Sequence, residues 1–255
     1  MKSLSRLGFI VLAIWSLSAN ATEYRFYAAA GIKLPLIELS RLFNQTNPQS
    51  QLINHFDTAG AAEKKFLADP KSTCLITTQI RINQALKSGT LVGQVQIPLT
   101  DTLAGIASSQ KVKPVITNSN ELVSALLAAK SIAFSNPANG ATVGLHFQQL
   151  IKKLDIEKAV MDKAILADDG VETMKLVIAK KVDLGITQMS EVIQADRTTL
   201  VGPFPSEFEL ATRYSLWCKD PSLPEISAFI GLMQSDFGSR IFSESGLRPV
   251  RQTAR

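Results

Sequence analysis

The chain has few of the residues that build metal sites and redox centres. Its 255 residues include two cysteines and two histidines, and no Cys/His cluster has metal-ligand spacing. We therefore expect no metal site and no cofactor. The chain also has no basic run and no interleaving of aromatic with basic residues, which argues against a nucleic-acid partner.

Long apolar segments are equally scarce, and the one near the amino terminus is typical of an export signal. Lys2 and Arg6 precede an apolar core at residues 7–17, and Ala19-Asn-Ala21 is a small-x-small cleavage site. The core is short for a membrane span, and no second stretch of spanning length follows. We expect residues 1–21 to be a cleaved signal peptide and the mature chain to be periplasmic. A retained amino-terminal anchor is the alternative.

The two cysteines allow two interpretations. Cys74 and Cys218 lie in the strand-like runs 73–77 and 214–218. In an oxidising compartment they can pair if both runs belong to one sheet. Cysteine is also a common small apolar core residue, so we expect two buried free thiols, with the disulfide as the alternative.

Apolar runs alternate with amphipathic patterns along the mature chain. Strands are expected at 24–29, 51–56, 74–77, 131–135, 164–167, 183–187 and 210–218, helices at 34–46, 61–68, 80–88, 119–129, 143–154, 171–180, 224–235 and 238–245, and further apolar runs at 95–98 and 103–107. This order predicts an α/β fold whose strands are mainly parallel and joined by right-handed helical crossovers.

A polar segment at residues 108–114, which ends in proline, interrupts this alternation and indicates a connection between two lobes. We expect residues 22–107 and 206–255 to form a discontinuous first lobe and residues 108–205 to form the second. Residues 199–205 are expected to lead the chain back. Two crossings between lobes imply a cleft in which hinge closure can enclose a ligand.

Five segments, in order, resemble those of the periplasmic molybdate-binding-type solute-binding proteins. They are residues 27–32 (Tyr-Ala-Ala-Ala-Gly-Ile), 56–61 (Phe-Asp-Thr-Ala-Gly-Ala), 134–144 (Phe-Ser-Asn-Pro-Ala-Asn-Gly-Ala-Thr-Val-Gly), 182–191 (Val-Asp-Leu-Gly-Ile-Thr-Gln-Met-Ser-Glu) and 237–249. The resemblance implies a two-lobed type II periplasmic binding-protein fold, in which each lobe is a mainly parallel sheet flanked by helices. It further implies a ligand cleft between the lobes, a small anionic ligand and an inner-membrane ABC permease as partner. We expect a monomer.

The resemblance also indicates where the ligand lies, although the side chains differ. Two serines and a tyrosine contact the oxyanion in the molybdate binders, and the matching positions here are Gly31, Ala59 and Gln188. The remaining donors are main-chain amides at helix starts, where the helix dipole attracts anions, and the Thr58 hydroxyl. The smaller residues are expected to leave a roomier floor, which favours an organic acid over molybdate.

The complete set of expected ligand-binding residues is Ala30, Gly31, Thr58, Ala59, Thr142, Val171 and Gln188. Additional candidates near strand ends are Thr77, Thr78, Asn136, Asn139 and Arg213.

Two classes of function remain open at this point, because a fold does not fix a function. The first is a receptor that delivers a small anion, either an oxyanion or an organic acid, to an ABC transporter. The second is an enzyme of the aconitate isomerase type, which also resembles this family. An isomerase needs a base within reach of the acidic C–H, and His55, Asp57 and Tyr27 are the candidates. We expect the receptor and assign no catalytic residue.

Overall fold

The computed structural model describes residues 21–93 and 96–250. The expected signal peptide, except for Ala21, therefore lies outside the described residues. Within the described ranges, every helix is too short or too polar to cross a membrane.

The described residues form ten strands and ten α-helices. The strands are β1 (Thr22–Ala29), β2 (Ser50–Asp57), β3 (Ser72–Thr78), β4 (Gln96–Ser108), β5 (Ile132–Ser135), β6 (Ala164–Ala167), β7 (Leu184–Gln188), β8 (Leu200–Pro203), β9 (Ala211–Cys218) and β10 (Arg248–Pro249). The helices are α1 (Lys33–Thr46), α2 (Ala59–Ala68), α3 (Gln79–Lys87), α4 (Ser119–Ala128), α5 (Thr142–Lys153), α6 (Glu157–Met161), α7 (Gly170–Ile178), α8 (Met189–Asp196), α9 (Pro224–Gln234) and α10 (Asp236–Glu244).

The strands run in the order β2-β1-β3-β9-β4-β7-β5-β6, and β8 and β10 also pair with β4. β2, β1 and β3 are parallel, whereas β9 is antiparallel to both β3 and β4, so β4 points the same way as the first three. On the other side, β7, β5 and β6 are parallel. In each half, most strands therefore share one direction.

The long strand β4 joins the two halves. Its residues up to Leu103 pair with β9, whereas the residues from Ala104 onwards pair with β7 and β8. Buried apolar side chains divide accordingly, with one cluster around Phe26, Leu36 and Phe229 and another around Phe134 and Phe147. The mixed α/β, two-lobed fold is thus confirmed, while the residue boundaries of the two lobes stay a prediction.

Helix α1 illustrates why the expected elements form. Its apolar residues Leu36, Leu39 and Phe43 recur at helical spacing and are buried against the sheet. Pro35 lies in the first turn, where a missing N–H breaks no intrahelical hydrogen bond. The helix ends at Thr46, directly before Asn47 and a proline.

The structure differs from expectation at β4 and at two helices. Residues 96–98 and 103–107 of the two expected apolar runs belong to one strand, β4, and residue 95 lies outside the described ranges. Helices α6 and α8 were not expected. α8 follows β7 without a loop, because Gln188 is the last residue of the strand and also the N-cap of the helix, where its N–H donates to the Glu191 carboxylate.

The expectation of free thiols is wrong, because Cys74 and Cys218 form a disulfide. The two residues face each other directly on the antiparallel strands β3 and β9, with their Cα atoms 4.1 Å apart. Both runs belong to one sheet, which is the condition that the disulfide alternative required.

Candidate functional site

A small, partly open cavity lies where the two halves meet. Its residues come from strand ends and the helix starts that follow them: Ala29, Ala30, Gly31, Thr58, Ala59, Ser135, Ala141, Thr142, Val143, Asp169, Gly170, Thr187, Gln188, Glu191 and Tyr214. The cavity volume is about 30 Å³. At roughly 10–15 Å³ for one water, this is room for two or three water molecules.

Helix starts from both halves face this cavity. Ala59 begins α2, Thr142 begins α5 and Gly170 begins α7, and a 3-10 turn at Ala30–Ile32 leads from β1 into α1. The first N–H groups of a helix have no partner within it, and this end carries the positive pole of the helix dipole. Their convergence creates a site that favours negative charge.

Two glycines allow a close approach of the main chain at this site. A Cβ atom at Gly31 would overlap the Tyr214 hydroxyl, and one at Gly170 would overlap the Glu191 carboxylate. Neither glycine has a positive φ, so the requirement here is space and not backbone conformation.

Glu191 is the acidic residue buried deepest in the cavity wall. Its Oε2 atom accepts hydrogen bonds from the Thr187 hydroxyl and from the N–H of Gln188, the latter at 3.2 Å. Burial raises the pKa of this carboxyl to about 7, because the two hydrogen bonds compensate only part of the lost hydration and the negative charge of Asp169 opposes ionisation further. Glu191 therefore exchanges its proton near neutral pH.

Tyr214 on β9 also lines the cavity. It is buried, and burial, followed by the negative charge of Glu191, raises the pKa of its phenol well above the usual value. The neutral hydroxyl lies against Gly31. Two buried polar atoms nearby, Gln188 Oε1 and Ser190 Oγ, have no hydrogen-bond partner among residues 21–93 and 96–250. The wall thus combines phenol, carboxyl, amide and main-chain groups.

Hydrogen bonds connect the two halves beside the cavity. The Thr58 hydroxyl donates to the carbonyl of Asn139 at 2.6 Å. Gln194 Nε2 donates to the carbonyl of Gly31 at 2.9 Å, and its Oε1 accepts from the N–H of Leu34 at 3.0 Å. The structure is therefore a closed arrangement of the cleft.

Six of the seven expected ligand-binding residues line the cavity: Ala30, Gly31, Thr58, Ala59, Thr142 and Gln188. Val171 follows the lining residue Gly170 but does not itself line the cavity. The role of all seven in ligand binding stays a prediction. The expected roomier floor is wrong, because Tyr214 occupies the space above Gly31.

The additional polar candidates have other partners. Arg213 forms a two-point ion pair with Asp101 at 2.8 and 2.9 Å, outside the cavity lining. Thr77 donates to the carbonyl of Ala59 at 2.9 Å, so it supports the start of α2 from behind. Thr78 and Asn136 cap α3 and a short 3-10 turn, respectively.

None of the expected candidate bases lines the cavity. The Tyr27 hydroxyl donates to Asp69 at 2.9 Å, and the His55 ring stacks on Tyr27 with 4.7 Å between ring centroids. Asp57 pairs with Lys65 at 2.6 Å. Sequence reasoning placed these residues near the cleft because they lie near strand ends, but their side chains have other contacts.

Sequence reasoning missed Glu191 and Tyr214. The spacing Gln188-x-x-Glu191 is that of a capping box, which signals a helix start and would have placed Glu191 in the first turn of α8. Tyr214 carries no comparable signal, because its approach to Gly31 depends on the pairing of β9 with β3 and β4.

Comparisons with known proteins agree with this geometry. The family model described as bacterial extracellular solute-binding protein matches residues 24–248. The periplasmic molybdate-binding protein of Azotobacter vinelandii superposes with a TM-score of 0.69 at 13% identity, over 90% of this chain and 100% of that one. The sulfate-binding protein SubI of Mycobacterium tuberculosis superposes with a TM-score of 0.63 at 14% identity, over 90% and 87%.

Among curated proteins, aconitate isomerase from Pseudomonas sp is 23% identical over 198 residues, which cover 76% of this chain and 74% of that protein. The family match covers most of the chain, so this protein belongs to the bacterial extracellular solute-binding proteins. The resemblance drawn from five segments of sequence is confirmed for the solute-binding family by the family match, and for the fold by the similarity to the molybdate-binding structures.

Proposed function

We propose that this protein is a periplasmic receptor that encloses a compact anion between its lobes and delivers it to an inner-membrane ABC permease. The observation that carries the proposal is the convergence of helix starts from both halves on one cavity. A ligand that contacts α2 in one half and α5 and α7 in the other stabilises the closed arrangement, which is how such a receptor signals that it is loaded.

The cavity favours a compact ligand. At about 30 Å³, the closed site suits a tetrahedral oxyanion or a short carboxylate better than a bulky organic acid. The lining contains no Lys, Arg or His, so the donors that remain are main-chain N–H groups and the hydroxyls of Ser135, Thr142 and Tyr214. The Thr58 hydroxyl already donates to the Asn139 carbonyl. Six of the seven expected ligand-binding residues are among these lining residues, which supports the set expected from the sequence.

Export to the periplasm rests on two independent features. Residues 1–21 have the composition of a cleavable signal peptide. The Cys74–Cys218 disulfide is typical of proteins that work in an oxidising compartment. The chain would act there as a monomer that meets its permease by diffusion.

Thermal unfolding of the purified protein tests the proposal, because a ligand that binds only the folded state raises the Tm. We expect at least one of sulfate, molybdate and trans-aconitate to raise the Tm, with the compact oxyanions more effective than the bulkier tricarboxylate, by an amount that grows with ligand concentration. Sodium chloride at equal ionic strength controls for general salt effects. If none of the three anions raises the Tm above this control, the proposal is wrong.

An isomerase is the second candidate, and Glu191 is the observation that favours it. A carboxyl with a pKa of about 7 inside a cavity can take a proton from a C–H adjacent to a carboxylate and return it to another carbon. The curated relative at 23% identity is named aconitate isomerase, which makes aconitate the first substrate to test.

Ultraviolet absorbance of cis- and trans-aconitate incubated with the protein distinguishes the two candidates. An isomerase would interconvert the two compounds, and Glu191→Gln would abolish the conversion. A receptor would bind without conversion. Conversion by the unmodified protein would move it into the enzyme class.

A further inference from the structure

The buried carboxyl of Glu191 conflicts with a cavity built for anions. In the part of the chain that the structure describes, no Lys, Arg or His lies within salt-bridge distance of Glu191. Only Oε2 accepts hydrogen bonds there, from Thr187 and Gln188, and the other carboxyl oxygen has no such partner. An ionised Glu191 would repel any anion that enters.

From this geometry we propose that Glu191 binds the anion in its protonated form, as a hydrogen-bond donor, so that the cavity takes up one proton with each anion when Glu191 is ionised beforehand. The proposal rests on the proposed function, because it assigns to one residue of that site a role in choosing the ligand. It concerns the shared chemistry of oxyanions and carboxylates, each of which offers an oxygen acceptor.

The residues around Glu191 favour its protonated form, because none of the lining residues supplies a compensating positive charge. The other titratable groups in the lining are Asp169, at the start of α7, and Tyr214, on β9. Asp169 is acidic and Tyr214 stays neutral, so neither can balance a second negative charge.

The elements packed against α8 bring no free cation towards the cavity either. These elements are β4, β7, β8, α7 and the short turns at 30–32 and 197–199. Their charged side chains are engaged with partners outside the lining: Asp101 of β4 with Arg213, Glu172 of α7 with Lys175, and Arg197 with the Glu244 carbonyl. β7 and β8 contribute no charged residue.

A protonated carboxyl changes which ligands the site prefers. It adds one donor that points at an anion oxygen, and a hydrogen bond between a neutral acid and an anion is stronger than one between neutral groups. The Thr187 hydroxyl and the Gln188 N–H hold the other oxygen, which fixes the orientation of the donor. Affinity then depends on pH even for ligands that do not titrate.

Isothermal titration calorimetry with sulfate, molybdate and trans-aconitate tests this. Sulfate and molybdate exchange no proton between pH 6.0 and 8.5, and the proton exchange of the third trans-aconitate carboxyl, which titrates near pH 6, is measured with Glu191→Gln and subtracted. Each titration is run at both pH values and in two buffers of different ionisation enthalpy, which gives the number of protons taken up. For the anion that binds, we expect uptake of about one proton at pH 8.5. With a pKa of about 7, the affinity should be about thirtyfold weaker at pH 8.5 than at pH 6.0.

Glu191→Gln provides the matched test, because the amide resembles a protonated carboxyl in shape and can serve at N3 of a capping box. This variant should bind without proton uptake and with similar affinity at both pH values. Glu172→Gln on α7, a half-exposed site outside the lining, is the control and should keep the pH dependence of the original protein.

The outcomes separate this inference from the proposed function. Binding without proton uptake by the original protein at pH 8.5, and with equal affinity at both pH values, overturns the inference but leaves the receptor proposal intact. Absence of binding for all three anions overturns both. The measurement on the original protein decides the question even if Glu191→Gln fails to fold.

Discussion

At the residue scale, a few close contacts define the site. Gly31 and Gly170 let Tyr214 and Glu191 approach the main chain, and no larger residue fits at either glycine without displacing them. The sequence predicted that small residues lie at these turns, because such turns follow strands at helix starts. It could not predict which side chains fill the space above them, since Tyr214 and Glu191 come from 183 and 160 positions further along the chain than Gly31 (214 − 31 and 191 − 31).

The raised pKa of Glu191 predicts that the stability of the folded protein depends on pH. Its folded-state pKa of about 7 lies above the usual value of 4.5, so the stabilising effect of the neutral form is complete below pH 4.5 and is lost as the pH rises to 7. The free energy of unfolding should fall by about 3 kcal/mol across this range on account of this residue.

Urea denaturation at several pH values measures this effect as the difference between the original protein and Glu191→Gln. The difference should change between pH 4.5 and 7 and remain constant above pH 7. Glu172→Gln, at a half-exposed residue outside the cavity lining, should show no such trend. A difference that does not vary with pH would show that Glu191 ionises normally in the folded protein.

Gly31→Ala tests the contact with Tyr214. Its Cβ would overlap the phenol oxygen, so Tyr214 must move into the cavity or the lobes must part. Overpacking of this kind costs about 1–3 kcal/mol, and we expect anion affinity to fall at least about tenfold. Isothermal titration calorimetry measures the loss.

Two further variants control this experiment. Gly231→Ala on α9 adds the same methyl group where no atom lies within 4 Å, and it should bind normally. Combination of Gly31→Ala with Tyr214→Phe removes the overlapping oxygen and should recover part of the free energy of unfolding that Gly31→Ala loses. Equal affinities of Gly31→Ala and the original protein would contradict the proposed packing.

At the element scale, the strands and helices that carry a clear apolar period were predictable. β6 has the expected bounds, 164–167, and α1 begins one residue before the expected position and ends at the same residue. α8 was missed because its eight residues follow β7 without a turn signal, yet it carries Glu191. The sequence thus predicted the framework of the site, but it did not predict the helix that supplies the ionisable group.

The disulfide between β3 and β9 is the element-scale feature that most affects stability. Both cysteines are buried, and they join residues 144 positions apart in sequence. Replacement of both by alanine should lower the free energy of unfolding by about 2–5 kcal/mol.

Urea denaturation of Cys74→Ala/Cys218→Ala measures this loss, and titration of thiols in the unfolded original protein checks the pairing. Because the disulfide lies away from the cavity lining, the double variant should still bind the anion at temperatures where it is folded. Two reactive thiols in the unreduced, unfolded original protein would contradict the disulfide.

At the scale of the whole molecule, the site exists only when the two halves are together. α2 and the turn at 30–32 belong to one half, whereas α5, α7 and α8 belong to the other. Thr58 and Gln194 bond across the boundary beside the cavity, so ligand binding and closure are linked. The sequence predicted a cleft between lobes, and the structure adds which contacts close it.

The most direct measurement is a titration of the ¹⁵N-labelled protein, followed by NMR of the main-chain amides, with the anion that raises the Tm most. We expect the amide signals of Ala59 in one half and of Gly170 and Val171 in the other to shift together, with a single Kd. Shifts confined to one half, or to exposed basic residues such as Lys87 at the end of α3, would contradict capture of the anion between the lobes.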